Sequence, residues 1–318
     1  MAKIKKKIHY HATTDNLSFL KMYQLLKDLG IKKNKFFLKI YDTDLIGVDP
    51  YDPNLSLEMK SKILREVKIN YWYFIREVVR IPVPGAPKRY ELNRGNLALS
   101  WSILNDIKFI EMLPRQNYKT QSVCCAYLWI YNYSTKYSEM ALLNKKYEDS
   151  KLNLDRIKKI RELLPSYLQL NDRRDSNNLT YIESSLNKNK IVAKNSAISE
   201  EQADLLGRGC SQPIQWYDEF AFLKYNEIVY SSATPAQSQS ALEAKTNNKP
   251  HHIAITTTPG DLKMAQGIYA KKFFDSAAPF DEKMYDWSEE EIYEYIQKNS
   301  KNNFIYIEFS YKQLGRSE

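Results

Sequence analysis

Lys119 and Thr120 are the pair in this chain best suited by type and position to hold phosphate. They follow a short apolar stretch that ends at Leu113 and a turn, and helical spacing comes after them. In the pattern G-x-x-x-x-G-K-[ST], the glycines let backbone N–H groups wrap phosphate, the lysine supplies charge and the hydroxyl reaches Mg²⁺. Here "LPRQNYKTQS" puts Leu113 and Tyr118 where the glycines belong. The residues alone leave two readings open: a phosphate site, or a Lys-Thr pair that happens to follow a strand.

An ATPase built on a sheet also needs an acidic pair at the end of a second apolar strand. "PIQWYDEFAF" (213–222) offers one, with Asp218 placed to hold Mg²⁺, through water or directly, and Glu219 to polarise the attacking water. A third stretch, "HHIAITTTPGD" (251–261), ends a strand in Thr256, Thr257 and Thr258. Hydroxyls at a strand's C-terminal end can reach a ligand bound at that edge of the sheet. The same three threonines also fit plain β-propensity before a turn.

These residues require strands to carry them. Apolar runs mark candidate strands at 108–113, 140–144, 179–183, 190–194, 214–218 and 252–257, and a later one at 304–310. Helical spacing is expected over 57–80, 120–132, 154–164, 262–274 and 287–298. Within 57–80, Trp72, Ile75 and Val79 share a face, which reads as core packing. Strands alternating with helices imply an α/β fold with a mostly parallel sheet flanked by helices.

The bulk properties are permissive. A chain of 318 residues with net charge +9 favours an anionic partner or simply a solvated basic surface. Lys5–Lys7 and Lys32–Lys35 are the candidate phosphate-gripping runs. Three cysteines without metal-ligand spacing fit a reducing compartment and give no zinc site. The basic start has no apolar h-region, and no apolar run is long enough for a bilayer, so no membrane association is expected.

Four stretches in order, "LPRQNYKTQS", "RIKKIRELLPSYLQL", "LLGRGCSQPIQWYDEFAF" and "ITTTPGDLKMAQGIY", resemble the ATPase domain of the large terminase subunit, which packages DNA in tailed bacteriophages. The resemblance runs from about residue 89 to 275. It implies a P-loop NTPase fold of the additional-strand (ASCE) type: a basic helical N-terminal segment (1–87), an ATPase core (88–275) and a lid-like second subdomain (276–318). The family's nuclease domain is expected to be absent from this chain. By resemblance, ATP and Mg²⁺ are bound by Pro114, Arg115, Gln116, Asn117, Tyr118, Lys119, Thr120 and Gln121. Thr120 and Asp218 hold the metal. Glu219 is the catalytic glutamate, with Arg115 and Lys119 stabilising transferred charge. Thr256–Thr258 match the coupling motif, Arg208 a nucleotide or neighbour sensor, and Asn93 or Asn96 the residue that reads adenine. The implied partners are double-stranded viral DNA, a portal protein, the small terminase subunit and further copies in a ring, a pentamer when assembled and a monomer in isolation, within the host bacterial cytoplasm.

Tyr118 departs from that family, which has glycine before the lysine. The loop is expected either to be rebuilt, with Asn117 left-handed and Tyr118 turned outward, or to bind nucleotide weakly until a ring or DNA completes it. The rival functions are a helicase-like ATPase of the same type and a non-hydrolysing module that binds DNA or portal.

Overall fold

The computed structural model describes residues 7–315. Its framework is a nine-stranded sheet. In chain order the strands are β1 (Phe109–Met112), β2 (Glu139–Leu143), β3 (Ser176–Asn177), β4 (Tyr181–Glu183), β5 (Lys190–Ala193), β6 (Ile214–Asp218), β7 (Ile253–Thr257), β8 (Ala278–Pro279) and β9 (Ile305–Glu308). Across the sheet they run β8-β9-β1-β7-β6-β2-β5-β4-β3. Every neighbouring pair from β8 to β5 is parallel, and the last two pairings are antiparallel. β7 therefore separates the strand before Lys119-Thr120 from the strand before Asp218-Glu219. This is the additional-strand arrangement.

The longer helices are α1 (Leu17–Asp28), α2 (Leu57–Ile69), α3 (Arg94–Leu104), α4 (Lys119–Trp129), α5 (Tyr147–Glu162), α6 (Glu200–Arg208), α7 (Asn226–Thr246), α8 (Ala265–Asp275) and α9 (Glu289–Asn299). Alternation along each strand assigns them to faces. Phe109, Met140, Leu142, Ile214 and Trp216 point to one side, into a core shared with α1–α5. Ile110, Leu143, Tyr217, Ile253 and Ile255 point to the other, against α6, α7 and α8. Covered on both faces, β6 and β7 are buried along their whole length. That is why they read as continuous apolar runs. Each fully buried aliphatic side chain contributes about 1.5–3 kcal/mol relative to exposure.

The N-terminal segment shares the first of these cores. Phe19, Met22, Ile63 and Val67 pack with α3 and α4 residues. The helix expected over 57–80 is interrupted at Asn70, whose side chain accepts from Tyr73 N and donates to Glu66 and the Lys39 carbonyl. Chain after Asn70 continues as one helical turn and a π-helical segment, Phe74–Val78. Trp72, Ile75 and Val79 are buried as expected. Here Glu77 takes hydrogen bonds from Arg76 and Thr14 and pairs with His11. Burial alone would raise its carboxyl, but the His11 hydrogen bond and the Arg76 charge bring it down to about 2.

The C-terminal segment joins the main sheet. β9 pairs with β1 over Ile305–Glu308, and β8 extends the sheet beyond it. β8 and β9 thus form one edge of the sheet, with α9 between them in sequence. The apolar pattern of a strand names its buried faces but not its partner, here some 200 residues away in sequence. No helix among the described residues is long and apolar enough to cross a membrane.

Candidate active site

Because β1, β2, β6 and β7 are mutually parallel, their C-terminal ends lie at one edge of the sheet. That edge carries the loop 113–118, Asn144-Lys145, Asp218-Glu219 and Thr257-Thr258. A cleft of about 730 Å³ opens there, lined by the loop and first turn of α4 together with Lys145, Arg156, Glu219, Phe222 and Thr258. The structure therefore brings Arg115 through Gln121 together with Glu219 and Thr258. Asp218 lies just beneath, 3 % exposed.

The loop solves its missing glycines with backbone conformation. Gln116 and Tyr118 take left-handed values, φ 62° and φ 59°. The expectation for Asn117 was wrong in this respect: it is a buried brace instead, its side-chain amide donating to the Pro114 and Arg115 carbonyls. A left-handed non-glycine residue costs about 1–2 kcal/mol. Tyr118 is not simply turned outward either. It is half-buried, with its hydroxyl accepting from Lys88 Nζ at 2.9 Å and the ammonium over its ring. The Tyr118 carbonyl caps the start of α4 by accepting from Ser122 N and Oγ. Gly95 on α3 lets that helix close on the loop, since a Cβ there would lie 2.4 Å from Leu113 Cδ1.

Lys119 Nζ donates to the Leu113 carbonyl at 2.9 Å and the Pro114 carbonyl at 3.3 Å. Burial lowers its pKa, against the opposing fields of Glu111, Glu219 and Asp218. Glu111 lies beneath it on β1, fully buried, with neither carboxylate oxygen hydrogen-bonded. Burial pushes the Glu111 carboxyl well above the usual carboxylate range, with the Lys119 charge working against it.

Asp218 is held by four side chains. Its Oδ2 accepts from Asn153 at 2.9 Å, Asn144 at 3.1 Å and the Thr120 hydroxyl at 3.4 Å. Its Oδ1 accepts from Thr256 at 2.8 Å, and Trp216 Nε1 donates to the same Thr256 hydroxyl. Glu219 follows in a left-handed conformation, φ 53°, and faces the cleft. Burial raises its carboxyl and neighbouring Asp218 adds to the rise, while Lys145, Lys119 and Arg115 oppose it. Thr257 Oγ1 accepts from Ala221 N, just past Glu219. The three threonines thus touch Asp218, the turn after Glu219 and the cleft.

No family model matches the sequence, and no curated protein matches it. Solved structures do. An arginine variant of the ATPase domain of the Thermus phage P74-26 large terminase is 12 % identical, with TM-score 0.47, covering 71 % of this chain and 84 % of that one. The large terminase of bacteriophage HK97 is 11 % identical with TM-score 0.42, covering 61 % of this chain and 37 % of that chain. A large terminase of a thermophilic bacteriophage, solved with ADP, is 13 % identical with TM-score 0.40, covering 71 % and 48 %. All are phage large terminases.

Other expected site residues fall elsewhere. Asn93 and Asn96 cap α3 reciprocally, each accepting from the other's backbone N–H, and Asn96 also donates to the Glu91 carbonyl. Neither amide lines the cleft. Nearby Arg94 is paired with Glu282, and the buried Tyr90 hydroxyl bonds Ser122. Arg208 is 72 % exposed on α6, pairs with Asp204 and does not line the cleft. Its neighbour Gly207 lies within α6, where a Cβ would lie 2.6 Å from Ser232 Cβ, so the glycine lets α6 pack closely on α7. Of the basic runs, Lys5 and Lys6 lie outside the described residues. Lys32 and Lys33 bind Asp286 through their backbone N–H groups, and the Lys35 ammonium lies over Tyr10 and Tyr23.

Sequence reasoning missed Asn144, Lys145, Asn153 and Arg156. The first pair follows an apolar strand directly, and that position alone marks the ligand edge of a parallel sheet. The second pair is spaced i,i+3 within α5, whose start at Tyr147 precedes the expected 154.

Proposed function

We propose that this chain hydrolyses ATP at the C-terminal edge of its sheet and uses the cycle to move double-stranded DNA, as the motor of viral genome packaging. The observation that carries the reading is the meeting of Lys119-Thr120 and Asp218-Glu219 at one edge, with β7 between their strands and Thr256 bonded to Asp218.

The residues fit a magnesium–nucleotide complex. Thr120 and Asp218 would hold Mg²⁺, whose other ligands would be phosphate and water oxygens, as is usual for this ion. When bound, it would neutralise phosphate charge. Lys119 exchanges its loop carbonyls for phosphate oxygens, and α4's first backbone N–H groups add to the anion site. Glu219, whose raised pKa suits it to take a proton, orients and deprotonates the attacking water. Arg115, exposed on the loop, stabilises charge in the transition state. Thr256 and Thr257 carry a change at Asp218 and at the turn after Glu219 into β7. The net charge of +9 suits grip on DNA phosphates, which is sequence-tolerant and salt-sensitive. In an assembled ring docked on a portal, Arg208 is an exposed arginine on α6 that a neighbouring copy would contact.

Magnesium-dependent ATP turnover with and without double-stranded DNA tests this. The reading expects turnover that DNA stimulates and Lys119→Ala abolishes. Turnover indifferent to DNA would remove the translocation part, and separation of DNA strands would favour a helicase-like enzyme.

A further inference from the structure

We propose that Arg156 binds the terminal phosphate from within the same chain and reports its presence to Asp218 through Asn153. This inference rests on the ATP reading and adds a second arginine to the site, on a helix instead of the loop.

The geometry is a chain of three side chains. Arg156 Nη1 donates to Asn153 Oδ1 at 2.5 Å, and Asn153 Nδ2 donates to Asp218 Oδ2 at 2.9 Å. Asn153 is fully buried, so both ends of its amide are committed and its orientation is fixed by charge: oxygen toward the guanidinium, nitrogen toward the carboxylate. The i,i+3 spacing on α5 puts both residues on one face of the helix. Arg156 itself is only half-buried and lines the cleft.

Its remaining donors are available to an anion. A guanidinium carries five N–H donors in a planar fork, a geometry that matches phosphate oxygens. One nitrogen contact, to Asn153, is the side-chain hydrogen bond Arg156 makes among the described residues, and no carboxylate lies within ion-pair distance of it there. Arg156 lines the same cleft as Arg115, Lys119 and Lys145, against Glu219 as the carboxylate of that lining, so the cleft carries net positive charge. Through Asn153 it lies on the Asp218–Thr120 side, where the terminal phosphates and metal would be. A guanidinium drawn onto phosphate pulls on the Asn153 oxygen, and the other end of that amide holds Asp218. Arg115, by contrast, is exposed on the loop and makes no side-chain hydrogen bond among the described residues.

The test measures ATP and ADP affinity, each with Mg²⁺, in a Glu219→Gln parent that holds ATP uncleaved. Arg156→Ala and Arg156→Lys are added separately. A charge-assisted contact to the terminal phosphate predicts that Arg156→Ala weakens ATP roughly tenfold to a hundredfold and ADP less than about threefold. Arg156→Lys should recover part of the loss. If Arg156 served only to orient Asn153, Asn153→Ala and Arg156→Ala would weaken both nucleotides alike, which overturns the proposal. Unchanged binding in Arg156→Ala overturns it too, while leaving the ATP reading intact. A parent that binds neither nucleotide overturns both.

Discussion

Replacing Tyr118 by glycine and by alanine should reverse the usual order of stability. At most positions glycine is the worse choice, because its unfolded chain has about 0.4–1 kcal/mol more entropy to lose. Tyr118, however, holds φ 59° and ψ 16° at the head of α4. Alanine keeps the left-handed penalty of about 1–2 kcal/mol, which glycine escapes. Both variants lose the same hydroxyl bond and ring contact with Lys88, so those losses cancel in the comparison. The glycine variant should therefore be more stable than the alanine variant by about 0.8 kcal/mol, the difference between the midpoints of the two effects. Urea denaturation, with midpoints compared at equal slope, resolves a difference of that size. The glycine variant should also bind ATP at least as well as the native chain, since the loop keeps its shape. Alanine equal to or better than glycine would refute the claim that this loop replaces glycine by backbone conformation.

Acid should weaken the fold through Glu77. Its carboxyl lies near 2 when folded against an ordinary 4.5, so the stability it contributes is present above the ordinary value and is lost as pH falls from there toward 2. The loss amounts to about 3 kcal/mol, and Glu77→Gln should remove the corresponding acid limb from a stability–pH curve. Glu111 has the opposite sign. Its raised pKa means that the unfolded chain releases this proton first, so native stability falls as pH rises above the ordinary 4.5. Glu111→Gln should then be more stable than the native chain by a margin that grows between pH 5 and pH 8, read as melting temperature. Thr256→Val should cost about 1–3 kcal/mol, because the buried Trp216 N–H loses its acceptor. It should also slow ATP turnover, since Asp218 loses a donor, whereas Thr256→Ser should retain both.

The central strands were legible because burial on both faces makes them apolar throughout. Ile214–Asp218 was read with its observed bounds, and the acidic pair at its end followed. What escaped had no local signature. Helix α7 is rich in serine, alanine, threonine and glutamine and contains Pro235, so it lacks a clear apolar stripe, and its packing depends on Gly207 of another helix. The left-handed Gln116 and Tyr118 are invisible to a motif that expects glycine. Asn93 and Asn96 were plausible amides for a base, but an Asn three residues before another at a helix start is also a reciprocal cap, and the cap won. Asn153 and Arg156 become site residues only when α5 packs on β2 and β5 and the Asn153 side chain reaches Asp218 at the end of β6, a tertiary placement no spacing encodes.

Steady-state ATP turnover with Mg²⁺ for the native chain and Glu219→Gln, together with ATP binding by both, decides whether this edge of the sheet is a hydrolytic site. The native chain should turn over ATP, and the variant should lose about 10²–10⁴-fold in rate while retaining ATP binding. Equal turnover in the two proteins would contradict the assignment of Glu219 as the base, and absence of both binding and turnover in the native chain would contradict the site itself.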